Sequence, residues 1–241
     1  MCLLAMLSRV AVDAPLIVAA NREEEYDRGG TPPQRVAGPV QFVAGLDPRA
    51  GGTWFGVNEA SVIVAVVNRP QRQEIVPQRS RGLLAKDMLA CRSAAEAVRA
   101  AVEELGKTRY APCFLVAADL ANVFVIQHGE WVQVLPLPIG IHVLTRQGIN
   151  ATSDPRAARA LAWLESRRLA TGRMWLELAQ EMCGDTGDAD HPGICWRSDG
   201  FGTVSSTLLA LRQPLESSTL LHAQGPPDRT PYQDFSHLLR F

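Results

Sequence analysis

Pro15-Leu16-Ile17-Val18-Ala19-Ala20-Asn21-Arg22-Glu23-Glu24-Glu25 runs from a turn proline through five aliphatic residues to one cation and three carboxylates. A short apolar run bounded by turn residues reads as a buried strand, here one that surfaces where the charges begin. Asp13-Ala14-Pro15 separates it from a second apolar run, residues 2–11, so the two form a hairpin. Antiparallel pairing then brings the start of the first strand, Cys2, close to the end of the second, Ala19-Ala20-Asn21-Arg22.

Working outward, a polar loop bearing glycine and proline covers residues 23–39, and residues 41–44, 53–58 and 61–67 read as further strands. Leu84, Met88, Cys91, Ala95, Val98, Val102 and Leu105 recur at steps of four and three, which predicts one long helix from Leu83 onward with Cys91 on its apolar stripe. A second run of strands follows at 112–117, 122–127, 131–135 and 140–144. Asp154-Pro155 pairs a capping aspartate with proline at the first helical position, opening a helix to about Ala170, with a shorter one at 173–182. Residues 202–211 and 219–223 return to strand character. Strand runs separated by a few helices, without strict alternation, imply an α+β fold: a four-layer αββα sandwich of two antiparallel sheets covered by helices, in a single domain over residues 1–241.

With 241 residues, 46% hydrophobic and 20% charged, the chain has the composition of a globular protein that buries a full core. Its 24 Lys and Arg against 25 Asp and Glu leave a net charge of -1, so no global field draws it to nucleic acid. No apolar run approaches the roughly 20 residues of a membrane span, and the amino terminus lacks a basic leader, so the expected location is cytoplasmic. A homo-oligomer stays open. Neither GxxxxGK[ST] nor GxGxxG is present, and no motif calls for a cofactor. Five cysteines without a CxxC pair argue against a disulfide framework and a zinc ribbon. Cys183, His191 and Cys195 lie near Asp185, Asp188 and Asp190, but their spacing fits no zinc pattern, and Trp196 stands where an EF-hand loop needs glutamate. The arginines at 69, 72, 79 and 81 read as a solvated loop, and His128, His142, His222 and His237 as surface or edge residues.

Chemistry concentrates at Cys2. Removal of Met1 would expose a thiol and an α-amine on neighbouring atoms, and an amine with a pKa near 7.7–8.0 can take the thiol proton directly or through water. Arg22 would stabilise the thiolate, and a following carboxylate would fix the amine. Asn68 and Asn150 each follow a strand and are candidate amide donors to an oxyanion. Plainer readings stand beside these: Cys2 as a core residue, the charges as a solvated strand end, the asparagines as turn or capping residues, like Asn58.

Met1-Cys2, Ala20-Asn21-Arg22-Glu23-Glu24, Ala44-Gly45-Leu46-Asp47 with Gly51-Gly52-Thr53-Trp54-Phe55-Gly56-Val57, Asn68, Ser80-Arg81-Gly82, Asn150-Ala151 and Phe201-Gly202-Thr203-Val204-Ser205-Ser206-Thr207 together resemble the NRDE family. That family, whose eukaryotic members include Transport and Golgi organization protein 2, looks like a branch of the N-terminal-nucleophile hydrolases near the choloylglycine hydrolase and penicillin V acylase group. The resemblance implies the αββα sandwich and a site of Cys2, Arg22, Asn68 and Asn150. The acidic role is divided between Glu23, where the family motif has Asp, and Glu25, three residues after the arginine as in the choloylglycine pattern. Val204 stands where related sequences commonly carry Arg.

The expected activity is therefore that of an N-terminal cysteine amidohydrolase, cleaving an amide or lactam of a small molecule through an acyl-enzyme. A non-catalytic module binding a lipid, acyl-CoA or haem is the rival expectation, and a structural or interaction protein is a third.

Overall fold

The computed structural model describes residues 3–70 and 76–241. In chain order the strands and helices are β1 (Leu3–Ser8), β2 (Leu16–Glu25), β3 (Gln34–Val36), β4 (Phe42–Leu46), β5 (Thr53–Asn58), β6 (Ile63–Asn68), α1 (Arg81–Met88), α2 (Ala94–Lys107), β7 (Cys113–Ala118), β8 (Val123–His128), β9 (Val132–Pro136), β10 (Gly140–Thr145), β11 (Gly148–Ile149), α3 (Pro155–Glu165), α4 (Gly172–Gly184), β12 (Phe201–Leu211), β13 (Thr219–Ala223) and β14 (Gln233–Asp234). They divide into two compact units, residues 1–29 with 139–240 and residues 30–138 with Phe241. Each unit is built on one seven-stranded antiparallel sheet, ordered β11-β10-β1-β2-β12-β13-β14 in the first and β3-β4-β5-β6-β7-β8-β9 in the second. Two antiparallel sheets with helices on them are what the strand and helix runs imply.

In the first unit the two-fold alternation of a strand sorts the residues. Leu3, Ala5, Leu7, Ile17, Ala19, Val143, Leu208 and Ala210 share one face and pack with Ala157, Ala160, Leu164, Trp175, Ala179 and Met182 of α3 and α4. Leu4, Met6, Val18, Leu144 and Leu209 occupy the other face and are just as buried. Asp154 caps α3 by accepting from the Arg156 amide, with Pro155 at the first turn. The helix stops at Glu165, short of the predicted Ala170, because the next residues have other partners. The Leu169 carbonyl accepts from the Trp175 indole, the Ala170 carbonyl accepts from the Val12 amide, and the Thr171 hydroxyl starts α4 by accepting from Met174.

In the second unit the predicted long helix is two helices. Ser93 accepts from the Glu96 amide while the Glu96 carboxylate accepts from the Arg92 amide, a reciprocal cap that starts α2 afresh after Met88. Cys91 sits in the link between them, still buried, and Val102 is exposed. Asn58 is a turn residue: its Nδ2 donates to the Leu89 and Cys91 carbonyls and its Oδ1 accepts from Ala60 and Val62. The glycine signatures have a packing cause. A Cβ at Gly52 would collide with the Gly82 backbone, so Gly51-Gly52-Thr53 and Ser80-Arg81-Gly82 are the two sides of one close backbone approach.

The arginines expected in a solvated loop are tied down where the structure describes them. Arg69 donates to the His128 carbonyl and lies over the Phe114 ring, Arg79 pairs with Asp87, and Arg81 donates to the Pro112 carbonyl. Arg72 lies outside the described residues. The expectation that the histidines are surface or edge residues fails for two of them: His142 and His222 are buried. No helix among the described residues is long and apolar enough to cross a membrane.

Candidate active site

The strand that opened the sequence reading does not end where its charges begin. β2 continues through Glu25, and Asn21, Arg22 and Glu23 are all buried. Alternation sends consecutive members to opposite faces of the sheet. Asn21 lies on the helix-covered side, where its Nδ2 donates to the carbonyls of Cys183 (3.0 Å) and Ile194 (3.3 Å) and its Oδ1 is buried with no hydrogen-bond partner among the described residues. Glu23, 1% exposed, lies on the same side and pairs with Arg156, the second residue of α3. Arg156 also donates to the carbonyls of Gly193 (3.1 Å) and Ile194 (2.8 Å). Burial pushes the Glu23 carboxyl above the usual range, while the Arg156 guanidinium pulls it back. This carboxylate therefore holds the segment between α4 and β12 against β2.

Arg22 takes the opposite face. Its guanidinium is 6% exposed, donates to the Gly29 carbonyl at 2.7 Å and stands 3.9 Å from the Glu24 carboxylate, which Arg28 approaches at 3.6 Å. Glu25 is exposed at the strand end. Neither acid predicted for the site shares the buried surroundings of Arg22. Glu23 is on the other side of the sheet and Glu25 is exposed, whereas Glu24, between them in the signature, is the carboxylate beside Arg22.

β12 runs antiparallel to β2 with a register shift: Thr203 is opposite Glu23 and Ser205 is opposite Arg22, so Val204 is an extra residue. Ser205 lies on the face of Arg22, in continuous register with the residues that follow it, and Val204 is half-buried at the irregularity. Ser205 is 3% exposed and its hydroxyl has no hydrogen-bond partner among the described residues. One residue pair further along, Thr207 is opposite Ala20, and its hydroxyl lies 2.9 Å from His222 Nδ1, whose Nε2 is 2.8 Å from Gln224 Oε1. Burial lowers the His222 pKa, so the ring is neutral.

On the other side of β2, Leu3 of β1 is paired with Asn21, the neighbour of Arg22. Cys2 precedes Leu3 in the chain and lies outside the described residues. Asn150 follows the short β11 with a left-handed φ of 50°. Its amide donates to the Val143 carbonyl (2.7 Å), its Oδ1 accepts from the Val143 amide (2.8 Å), and its Nδ2 is directed at His142 Nδ1 (3.5 Å). The side-chain acceptor is thus occupied, which fixes the carboxamide with its NH2 group turned toward His142. His142 is opposite Met6, on the face that carries Arg22. Asn68 belongs to the second unit. It ends β6 opposite Cys113, which is opposite His128, so the three share the face on which Val64, Val66 and Leu115 pack with α1 and α2.

The described cysteines are poor nucleophiles. Burial raises the thiol pKa of Cys113 and Cys183 to about 12, of Cys195 to about 11, and that of Cys91 as well, so each is a protonated thiol at neutral pH. Cys195 Sγ donates to Asp228, which pairs with Arg197, and Asp185 and Asp188 are engaged by Arg159. No group of three or more His, Cys, Asp or Glu side chains converges on a metal position among the described residues.

Set beside known proteins, residues 1–184 match the family described as Transport and Golgi organisation 2. The chain belongs to that family. None of the curated proteins compared matches it in sequence. Among solved structures it is similar to an N-acylethanolamine-hydrolyzing acid amidase ortholog from Caenorhabditis elegans, with a TM-score of 0.58, 16% identity, and coverage of 87% of this chain and 92% of that one. The penicillin V acylase of Agrobacterium tumefaciens gives a TM-score of 0.58 at 12% identity over 99% of this chain and 87% of the other. A variant of the conjugated bile acid hydrolase of Clostridium perfringens gives 0.60 at 11% identity over 98% and 93%. At such identities the likeness establishes a shared fold, that of the N-terminal-nucleophile hydrolases.

Of the residues this arrangement brings forward, Arg156 and His142 had no sequence signal as site residues, and Glu24 stood within the family signature without being singled out. Arg156 is one of the arginines on an alanine-rich helix, directly after Pro155, and only the fold carries it to Glu23. Ser205 lay within a family signature, but its burial and the face it occupies are read only from its pairing with β2.

Proposed function

We propose that this Transport and Golgi organisation 2 family member is an N-terminal cysteine amidohydrolase that cleaves a non-peptide C–N bond, an amide or lactam, through an acyl-enzyme. The observation that carries the reading is a buried guanidinium, Arg22, next to the residue paired with Leu3, which in sequence directly follows Cys2. The fold shared with solved proteins named as amidase, acylase and hydrolase supports it, as do the raised thiol pKa values of the other cysteines.

After loss of Met1, the α-amine of Cys2 takes the thiol proton, and the sulfur attacks the substrate carbonyl carbon to form a C–S bond. The oxyanion of the tetrahedral intermediate receives a hydrogen bond from Asn150 Nδ2, while Arg22 stabilises negative charge at the reacting centre. The C–N bond breaks, the leaving nitrogen takes the proton held by the α-amine, and water then hydrolyses the thioester to release the acid and restore the thiol. The acidic contribution is divided between Glu23, which fixes the strand from behind, and Glu25 at its end, with Glu24 beside the guanidinium.

Intact mass of the purified protein, before and after reaction with chloroacetamide and β-lactam probes, tests this in wild type and Cys2→Ala. The expected result is loss of Met1 and a single adduct that Cys2→Ala does not form, together with turnover of simple N-acyl amides. Retained Met1, or equal labelling of both proteins, overturns it. One observation favours a second reading, an apolar-ligand module for a lipid, acyl-CoA or haem: the residue at the β12 irregularity is Val204, an aliphatic side chain where related sequences commonly have Arg.

A further inference from the structure

Four hydroxyl residues lie close together on β12, and all four are buried. Thr203 Oγ1 accepts from the Trp196 amide (3.0 Å). Ser206 Oγ donates to the Ala20 carbonyl (3.2 Å) and accepts from the Tyr232 hydroxyl (2.7 Å). Thr207 is engaged with His222. Of the four, Ser205 alone has no hydrogen-bond partner among the described residues, although it is as enclosed as the others. A buried hydroxyl without a hydrogen bond carries an uncompensated desolvation cost, and one isolated among satisfied neighbours marks a place where a partner arrives from outside. The continuous register from Ser205–Leu211 against Arg22–Leu16 sets Ser205 directly opposite Arg22, and the register shift at Val204 separates it from Thr203, which is opposite Glu23 on the helix-covered face.

We propose that Ser205 is a substrate-contacting residue whose hydroxyl donates to an oxygen of the substrate outside the scissile amide, and that this oxygen belongs to a carboxylate. The donor role follows from the neighbour. Ser205 and Arg22 are directly opposite on neighbouring strands and share one face, and a hydroxyl on the face of a buried guanidinium is placed to donate to an electron-rich atom that also faces that cation. The inference rests on the hydrolase reading and deepens it, narrowing the substrate class from small amides to amides that carry a carboxylate on either the acyl or the amine side.

Paired substrates of equal chain length provide the test: N-decanoylglycine against N-decanoyl-ethylamine, and the monodecylamide of succinic acid against N-decylbutanamide. In wild type one acid is expected to surpass its neutral partner in kcat/KM. Ser205→Ala is expected to reduce that ratio about tenfold or more, chiefly through KM, the loss of a hydrogen bond to a charged group. Ser205→Thr, which keeps the hydroxyl, is expected to restore part of it. Because the hydroxyl has no partner among the described residues, Ser205→Ala is also expected to melt no lower than wild type, a readout that a structural serine would fail. An unchanged ratio, or a Tm lowered by several degrees, overturns the proposal. If wild type hydrolyses none of the four, the hydrolase reading fails by itself. The Ser205 inference is then read from the thermal shift produced by N-decanoylglycine, expected in wild type and reduced in Ser205→Ala, and an equal or absent shift in both proteins overturns it.

Discussion

Replacing Arg156 with methionine removes a guanidinium that pairs with a buried carboxylate and holds the carbonyls of Gly193 and Ile194. Methionine keeps much of the side-chain length, so the loss is chiefly electrostatic and hydrogen-bonding. Breaking a buried ion pair from one side typically costs about 3–5 kcal/mol, because the remaining charge stays in a low-dielectric setting. For a chain of this size about 1 kcal/mol corresponds to roughly 2–4 °C, so Arg156→Met is expected to lower Tm by about 6–20 °C. Urea unfolding of wild type, Arg156→Met, Glu23→Leu and the double variant closes a thermodynamic cycle. The double variant is expected to be more stable than the sum of the two single losses implies, by well over the roughly 0.5 kcal/mol that independent sites show. The acid limb supplies a second check. In Arg156→Met the folded-state pKa of Glu23, already raised by burial, rises further. A carboxyl raised in the folded state contributes stability below its unfolded pKa and loses it as pH climbs through the folded value, so the deficit of the variant shrinks from pH 7 to pH 5. A loss below about 1 kcal/mol, or strict additivity in the cycle, would refute the assignment of Glu23 and Arg156 as the clamp behind β2.

Asn150→Asp keeps the acceptor for the Val143 amide and tolerates the left-handed φ, yet removes the Nδ2 donor; kcat is expected to fall about 100- to 1,000-fold with little change in Tm, and wild-type turnover would exclude Asn150 from the oxyanion site. Burial lowers the pKa of both His222 and His128, so their stability contribution is intact above the unfolded value near 6.5 and declines as pH falls through the folded values. The urea midpoint is accordingly expected to drop between pH 7.5 and 5.5, with a shallower drop in His222→Gln; identical profiles would count against that ring. Gly52→Ala forces a methyl into the Gly82 backbone and is expected to destabilise the second unit by about 1–3 kcal/mol or more, measurable by calorimetry, whereas Gly51→Ala meets no neighbouring atom and is limited to the strain of its positive φ.

Periodicity carried most of the architecture. The strands at 53–58 and 219–223 and the start of α3 at Asp154-Pro155 were legible because each has a local physical cause that the sequence writes down: a pleat, a turn, a cap. The long helix was misread because heptad-like spacing continues across the Ser93 cap, where hydrogen bonding overrules the stripe. The end of β2 was misread for the opposite reason. Charges signal solvent in isolation, but Glu23 is carried inside by Arg156, a partner 133 residues away. Arg22 and Asn150 could be singled out from strand ends alone. Which face each occupies, and that the signature Asn21-Arg22-Glu23 splits between two faces, needed the sheet.

That split means one tripeptide answers to two separate selective demands. Drift that abolished any chemistry at the guanidinium would still be opposed at its flanking positions, since those anchor the helical layer. A descendant keeping the asparagine and the acid while discarding the arginine between them would be the expected fossil of an inactivated lineage, and survival of the flanks would say nothing about turnover.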